Sequence, residues 1–402
     1  MATTINADTS DGLKLTADAS GEIELQSSGV TQAKVTSSGL QNASGNPITS
    51  QAGKNIIING NMQIAQRATS VTGITAQGYY TVDRWRQQLA GGGTYTQAQT
   101  ALTSSNAPFA DGFSQSIKYD CTTTYTGVDS FIVHRQVIEG QNLQQLAYGT
   151  SSAKSLTLSF WVKSNVTGTA IANLYSFDSN RQIGKTYTID VANTWEYKTV
   201  TFAGDTSSSF DNDNTSSLNI NFVMSVGTNY TSGTLQSTWT NYVNADFASG
   251  QTIDISASTS NQISFTGVQL EAGTVATPFE NLQYTTQLQL CQRYYFVLCD
   301  GSIAARQSIG IGAYYSSSDL RGTFSFPTTM RATPTLEVET VTDGYDFRRV
   351  SGVDRVSSFT LLDASLTSVN FNNNTDASGT AGTAGELFSD DVSAFLAVSA
   401  EL

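Results

Sequence analysis

The chain has 402 residues, enough for two or three domains, and only 13% of them are charged, about half the usual share. Thirty-three acidic against 20 basic residues give a net charge of −13, and no Lys/Arg cluster interrupts that balance, so a nucleic-acid footprint is excluded. No run of 18 apolar residues and no basic-then-apolar N-terminus is present, which speaks against membrane insertion and a signal peptide. Cys121, Cys291 and Cys299 are too few for a disulfide framework and are expected as free thiols made in a reducing cytosol.

In chain order, residues 1–53 read as a thin arm and linker. Leu13 and Leu15, Ile23 and Leu25, and Val35 mark short alternating strands separated by Ala-Ser-Gly and Ser-Ser-Gly turns. Strands this short bury no core alone, so they call for partners, identical chains or a neighbouring protein. Asn55–Arg67 then opens a β domain with a β-like run, and Asn59-Gly60 in it signals a turn or bulge.

Strand signals recur every 10–20 residues over 54–283. The clearest are Leu156–Lys163, with Leu156, Leu158, Phe160 and Val162 on one face, and Leu218–Val226, with Leu218, Ile220, Phe222, Met224 and Val226 on one face. Within residues 284–297, Leu288, Cys291, Gln292 and Tyr295 sit at i, i+3, i+4 and i+7 and predict a short connecting helix. Residues 298–402 are a second β unit. The expected fold is all-β: a jelly-roll-like sandwich, one helix, a C-terminal β domain and the N-terminal arm.

Asn55-x-x-Ile58-Asn59-Gly60-Asn61-x-x-Ile64-x-Gln66-Arg67, followed by Asp83-Arg84-Trp85, resembles the opening of a jelly-roll module in bacteriophage tail fibre and other virion proteins. Ser159-Phe-Trp-Val-Lys163, Trp195-Glu-Tyr-Lys198 and Gln269–Glu280 resemble later motifs of the same carbohydrate-binding-module-like domain, and Leu290-Cys-Gln-Arg-Tyr-Tyr295 matches phage fibre proteins. The resemblance implies a virion protein, made in the host cytoplasm and exposed on the particle. It also implies an arm (Leu13, Leu15, Ile23, Leu25, Val35) that attaches to other virion proteins, and a homo-oligomer, typically a trimer.

Residues able to carry catalysis are scarce. The chain's one histidine, His134, is expected at the sandwich surface or in a subunit contact, and no Gly-x-Ser-x-Gly or His-Glu-x-x-His sequence accompanies it. No cofactor is implied, and the reading is non-enzymatic. For glycans, Trp161 stands on the polar side of a strand whose other side is core. Trp239, Tyr230 and Tyr242 form a second aromatic group in a Ser/Thr/Asn-rich stretch. Each could instead pack against a loop or subunit. Asp211-Asn-Asp213-Asn offers oxygen ligands to calcium, but the positions an EF-hand needs for Gly and Glu hold Ser216 and Phe222, so a solvated loop is the better expectation. Three roles compete: a short fibre or spike contacting host surface polysaccharide, a capsid or tail decoration protein that recognises nothing, and, as the least favoured, a glycan depolymerase.

Overall fold

The computed structural model describes residues 23–27, 29–36, 39–42, 53–302 and 306–402. Leu13 and Leu15 therefore lie outside the described residues. In the arm, β1 (Ile23–Ser27), β2 (Val30–Thr36) and β3 (Gly39–Asn42) form an antiparallel sheet in that order. Register places Ile23 opposite Val35, Leu25 opposite Ala33 and Val35 opposite Leu40, so the aliphatic side chains share one face. The Glu24–Lys34 pair, 2.9 Å apart, occupies the other. Leu25, Val35 and Leu40 remain exposed.

Thirteen strands follow between residues 70 and 272: β4 (Ser70–Ile74), β5 (Gly78–Tyr79), β6 (Arg86–Ala90), β7 (Thr94–Ala101), β8 (Gln115–Thr123), β9 (Phe131–Glu139), β10 (Leu156–Ser164), β11 (Gly168–Ser176), β12 (Arg181–Ile189), β13 (Glu196–Phe202), β14 (Ser216–Val226), β15 (Thr240–Asn241) and β16 (Gln262–Ala272). They divide into a six-stranded sheet, β13-β10-β16-β8-β7-β4, and a seven-stranded sheet, β15-β12-β11-β14-β9-β6-β5. The chain crosses between the sheets repeatedly, which makes a jelly-roll-like sandwich. The alternating faces explain its core: Leu156, Leu158, Phe160 and Val162 meet Leu218, Ile220, Phe222 and Met224, all fully buried. A bulge between Val223 and Ser225 breaks the alternation at the end of β14. Val226, expected on the core face, instead packs with Phe131 and Phe247 outside it.

Two expectations about the sandwich are corrected. His134 is not at the surface: it is fully buried, stacked 4.2 Å from Trp85 and 5.1 Å from Phe265, with Nδ1 2.6 Å from the Tyr119 hydroxyl. Burial holds its pKa well below the usual value, so the ring is neutral and structural. The Asn55–Arg67 run is not a strand. Asn59 and Met62 take left-handed φ of 58° and 60°, and the segment turns on itself. The Asn59 amide donates to the Ile64 (2.8 Å) and Asp83 (3.0 Å) carbonyls, and the Trp85 indole donates to the Asn59 carbonyl (3.0 Å). Sequence distance hid this clasp, because its two halves meet only in the fold.

The helix Tyr284–Gln292 stops earlier than the predicted 297, and Tyr295–Asp300 is instead strand β17, as its run of aromatic and β-branched residues favours. Then come β18 (Ser308–Ser316), β19 (Asp319–Ser325), β20 (Thr335–Val338), β21 (Tyr345–Arg349), β22 (Gly352–Val356), β23 (Thr360–Ala364), β24 (Ser368–Asn373), β25 (Ala384–Ser389) and β26 (Phe395–Ser399). These form the sheets β17-β26-β20 and β22-β21-β25-β18-β19-β24-β23 around a separate core that includes Tyr314, Leu320, Phe347 and Leu387.

Buried charge joins the two β units. Arg84 pairs with Glu401, donates to the Val137 carbonyl (2.7 Å) and lies 3.4 Å from the Tyr294 ring centroid. Glu139 accepts from Arg293 (2.8 and 3.0 Å) and Tyr294; burial opposes its charge, but these bonds win and hold its pKa below the usual range. Arg331 donates to the Asn214 (2.8 Å) and Ala400 (2.7 Å) carbonyls. Cys121, Cys291 and Cys299 are free and buried, and no helix among the described residues is long and apolar enough to cross a membrane.

Candidate ligand-binding site

The outward face of the seven-stranded sheet carries an unusual polar row. Register aligns Tyr79, Arg86, Arg135, Asn221 and Asn173 across β5, β6, β9, β14 and β11. The adjacent row runs Val137, Asn219, Tyr175, Gln182. Directly opposite residues of antiparallel strands share a face, so this array follows from strand pairing alone. The segment after β14 folds back over the neighbouring apolar part of the sheet, where Phe247 and Tyr230 pack on Phe131 at 5.2 and 4.7 Å. A groove of about 210 Å³ is left at its edge, lined by Arg135, Asn219, Tyr175, Phe177, Tyr242 and the Phe131–Phe247 pair.

Tyr175 is its central ring, edge-on to Phe177 at 5.0 Å and to Tyr242 at 5.1 Å. Burial raises the Tyr242 phenol to about 12, so it presents a neutral hydroxyl and an apolar ring. Arg135 donates to Asn221 Oδ1 (2.6 Å) and Gln88 Oε1 (3.2 Å), and the Asn221 amide donates on to Asn173 (3.3 Å). Burial, and then the adjacent Arg86 charge, bring the Arg135 pKa down to about 10. Asn219 is fully buried in the groove lining, and among the described residues neither its amide nitrogen nor its oxygen has a hydrogen-bond partner. Such a group costs about 1–3 kcal/mol unless something pairs with it.

A second cavity, about 350 Å³, lies on the outward face of the six-stranded sheet. Trp161 and Tyr197 form one wall, their rings 5.5 Å apart and inclined at 56°, and Phe113, Pro278 and Phe279 close it. The Trp161 indole is half-buried and donates to Asp111 Oδ2 (3.1 Å), while Tyr197 is 47% exposed.

The structure separates the predicted aromatic group. Tyr242 lines the groove, and Tyr230 stands behind it against Phe131. Trp239 is corrected: it belongs to the main core, 8% exposed, with its indole bonded to the Ala203 carbonyl (2.8 Å), and presents no platform. Asp213 is used by its own turn, accepting from the Thr215 backbone (2.9 Å) and hydroxyl (2.8 Å). Among the described residues no three His, Cys, Asp or Glu side chains are grouped to hold a metal, at Asp211 and Asp213 or elsewhere. Arg135, Asn219, Asn221, Tyr175 and Phe177 were not anticipated. The alternation Leu218-Asn-Ile-Asn-Phe222 does place two amides opposite a core face, but not their neighbours on other strands.

No protein-family model and no curated protein matches the chain. Among solved structures it is similar to the enzymatically active domain of tailspike protein 4 from bacteriophage CBA120, at 14% identity and a TM-score of 0.28, covering 54% of this chain but 21% of that one. It is similar to the family 11 carbohydrate-binding module of a Clostridium thermocellum cellulosomal cellulase, at 12% identity and TM-score 0.26, over 51% and 98% of the two chains. The xylan-binding CBM22-1 domain from Paenibacillus barcinonensis gives 10%, 0.24, 57% and 100%. Likenesses this distant decide neither ligand nor role.

Proposed function

We propose that this chain is a non-enzymatic glycan-binding protein of a virion, a short fibre or spike held on the particle by its N-terminal arm. Asn219 is the observation that carries the binding reading: a buried amide with both ends unpaired, in a groove walled by aromatic rings. Sugar hydroxyls supply donor and acceptor together, and the apolar C–H face of a pyranose covers an aromatic ring, so a glycan meets both demands. The Trp161 cavity is the second reading, favoured by its larger volume and by exposed Tyr197. The exposed aliphatic face of the arm (Leu25, Val35, Leu40) supports attachment to other virion proteins or association of identical chains, a trimer by resemblance.

The test is affinity electrophoresis and calorimetry on extracted host surface polysaccharide and a panel of neutral and acidic polysaccharides, with Tyr242→Ala and Trp161→Ala beside the wild type. Tyr242→Ala should weaken binding about ten- to a hundredfold, as loss of an aromatic anchor does. Loss confined to Trp161→Ala would move the site to the other sheet. Saturable binding by neither protein face would leave the decoration role, and release of reducing sugar would overturn the non-enzymatic reading.

A further inference from the structure

Arginines in this chain come with partners, a carboxylate for most and backbone carbonyls for Arg331. Arg67, Arg84, Arg181, Arg293 and Arg349 each contact a carboxylate. Arg86 and Arg135 do not. They stand directly opposite each other on β6 and β9, on the outward face, and neither forms an ion pair among the described residues. Arg135 uses Nε and Nη1 on amide oxygens, and Nη2 makes no bond. Among the described residues the Arg86 side chain makes no hydrogen bond, and its buried Nε is unpaired. Like charges directly opposite on antiparallel strands repel, and half-buried ones are weakly screened by water or salt. In a chain of net charge −13, the sheet keeps two adjacent guanidiniums free of every carboxylate among the described residues.

We infer that the groove on the seven-stranded sheet takes an acidic polysaccharide, a sugar carboxylate bridging Arg86 and Arg135 while the ring lies against Tyr175 and Tyr242. This rests on the glycan reading above and adds the charge of the ligand to it. Arg135 lines the groove, and Arg86 stands beside it on the next strand, outside the lining. A carboxylate has two oxygens and about four lone-pair positions, enough for donors from both guanidiniums, and the planar arginine fork favours that anion over a neutral hydroxyl. Asn219, in the adjacent row, then meets a hydroxyl of the same or the next sugar. The anion relieves a repulsion that the free protein carries, so binding selects for charge and not merely for shape.

The experiment compares polymers of one backbone with and without charge: polygalacturonate, alginate and hyaluronate, each beside its methyl-esterified form, titrated into the full chain by calorimetry. The acid form of at least one should bind about ten- to a hundredfold tighter than its ester, with the advantage falling as salt rises. Arg86→Gln should erase the difference while retaining ester binding, and Tyr242→Ala should weaken both forms. Equal affinity for acid and ester, or binding to neutral polymers alone, overturns the anionic assignment and leaves the glycan reading standing. Binding to nothing in the panel overturns both. A ligand-free measurement tests the premise: Arg86→Gln should raise the melting temperature by about 1–3 °C by removing the repulsion. An unchanged or lower melting temperature would mean that the pair is not strained, and the inference falls.

Discussion

Replacing Glu401 with alanine strips the carboxylate from two guanidiniums, Arg67, which stays stacked on Tyr295, and Arg84, which has almost no water to turn to. Arg84 is 1% exposed and the Glu401 side chain 7%, and the pair sits where the C-terminal β unit meets the sandwich. Removing one partner of a buried pair costs about 3–5 kcal/mol, because the remaining charge stays desolvated. Arg84 keeps the Val137 carbonyl and the Tyr294 ring, which places the expected cost near the lower end, roughly 3 kcal/mol. The loss should fall on docking more than on either core. All four tryptophans (Trp85, Trp161, Trp195 and Trp239) lie in the sandwich, so their fluorescence reports that unit alone, whereas far-UV circular dichroism reports both. In urea, Glu401→Ala should therefore lose dichroism before fluorescence, separating two transitions that nearly coincide in the wild type. The double variant Arg84→Met/Glu401→Leu, which removes both charges, should recover most of the loss. A cost below about 1 kcal/mol with coincident transitions would refute the assignment of this pair as the clamp.

Asp83 gives a pH signature. Burial, opposed by Arg67 and Gln66, pushes its carboxyl up to about 6, so the folded chain holds a proton that the unfolded chain has released between about pH 4 and 6. Its contribution favours folding at low pH and is lost as pH rises through 6; relative to Asp83→Asn, wild-type stability should fall by roughly 2 kcal/mol from pH 4 to pH 7. Parallel urea-stability curves for the two proteins would contradict this. Gly60→Ala should destabilise by about 1–3 kcal/mol or prevent folding, since a Cβ there would lie 2.0 Å from the Val268 carbonyl oxygen in β16; an unchanged melting temperature would show that the backbone approach is not as close as described.

The sequence by itself determined the class of fold and the inward faces. Alternation in Leu156–Val162 and Leu218–Met224 specifies which side of each strand is core, because a strand's period of two leaves no other choice. It also marked Asn59, Asp83, Arg84 and Trp85 as special without showing why. Their purpose is a clasp and a clamp between residues as far apart as Arg84 and Glu401, and no local pattern encodes that separation. His134 and Trp239 were misplaced for the same reason: side-chain type suggests a surface role, while burial depends on the opposing sheet. Apart from Tyr242, the groove belonged to tertiary structure. Arg86, Arg135, Asn221 and Asn173 come from four separate strands and become neighbours only when pairing register brings them into one row, where charge that reads as scattered along the chain becomes concentrated on one face.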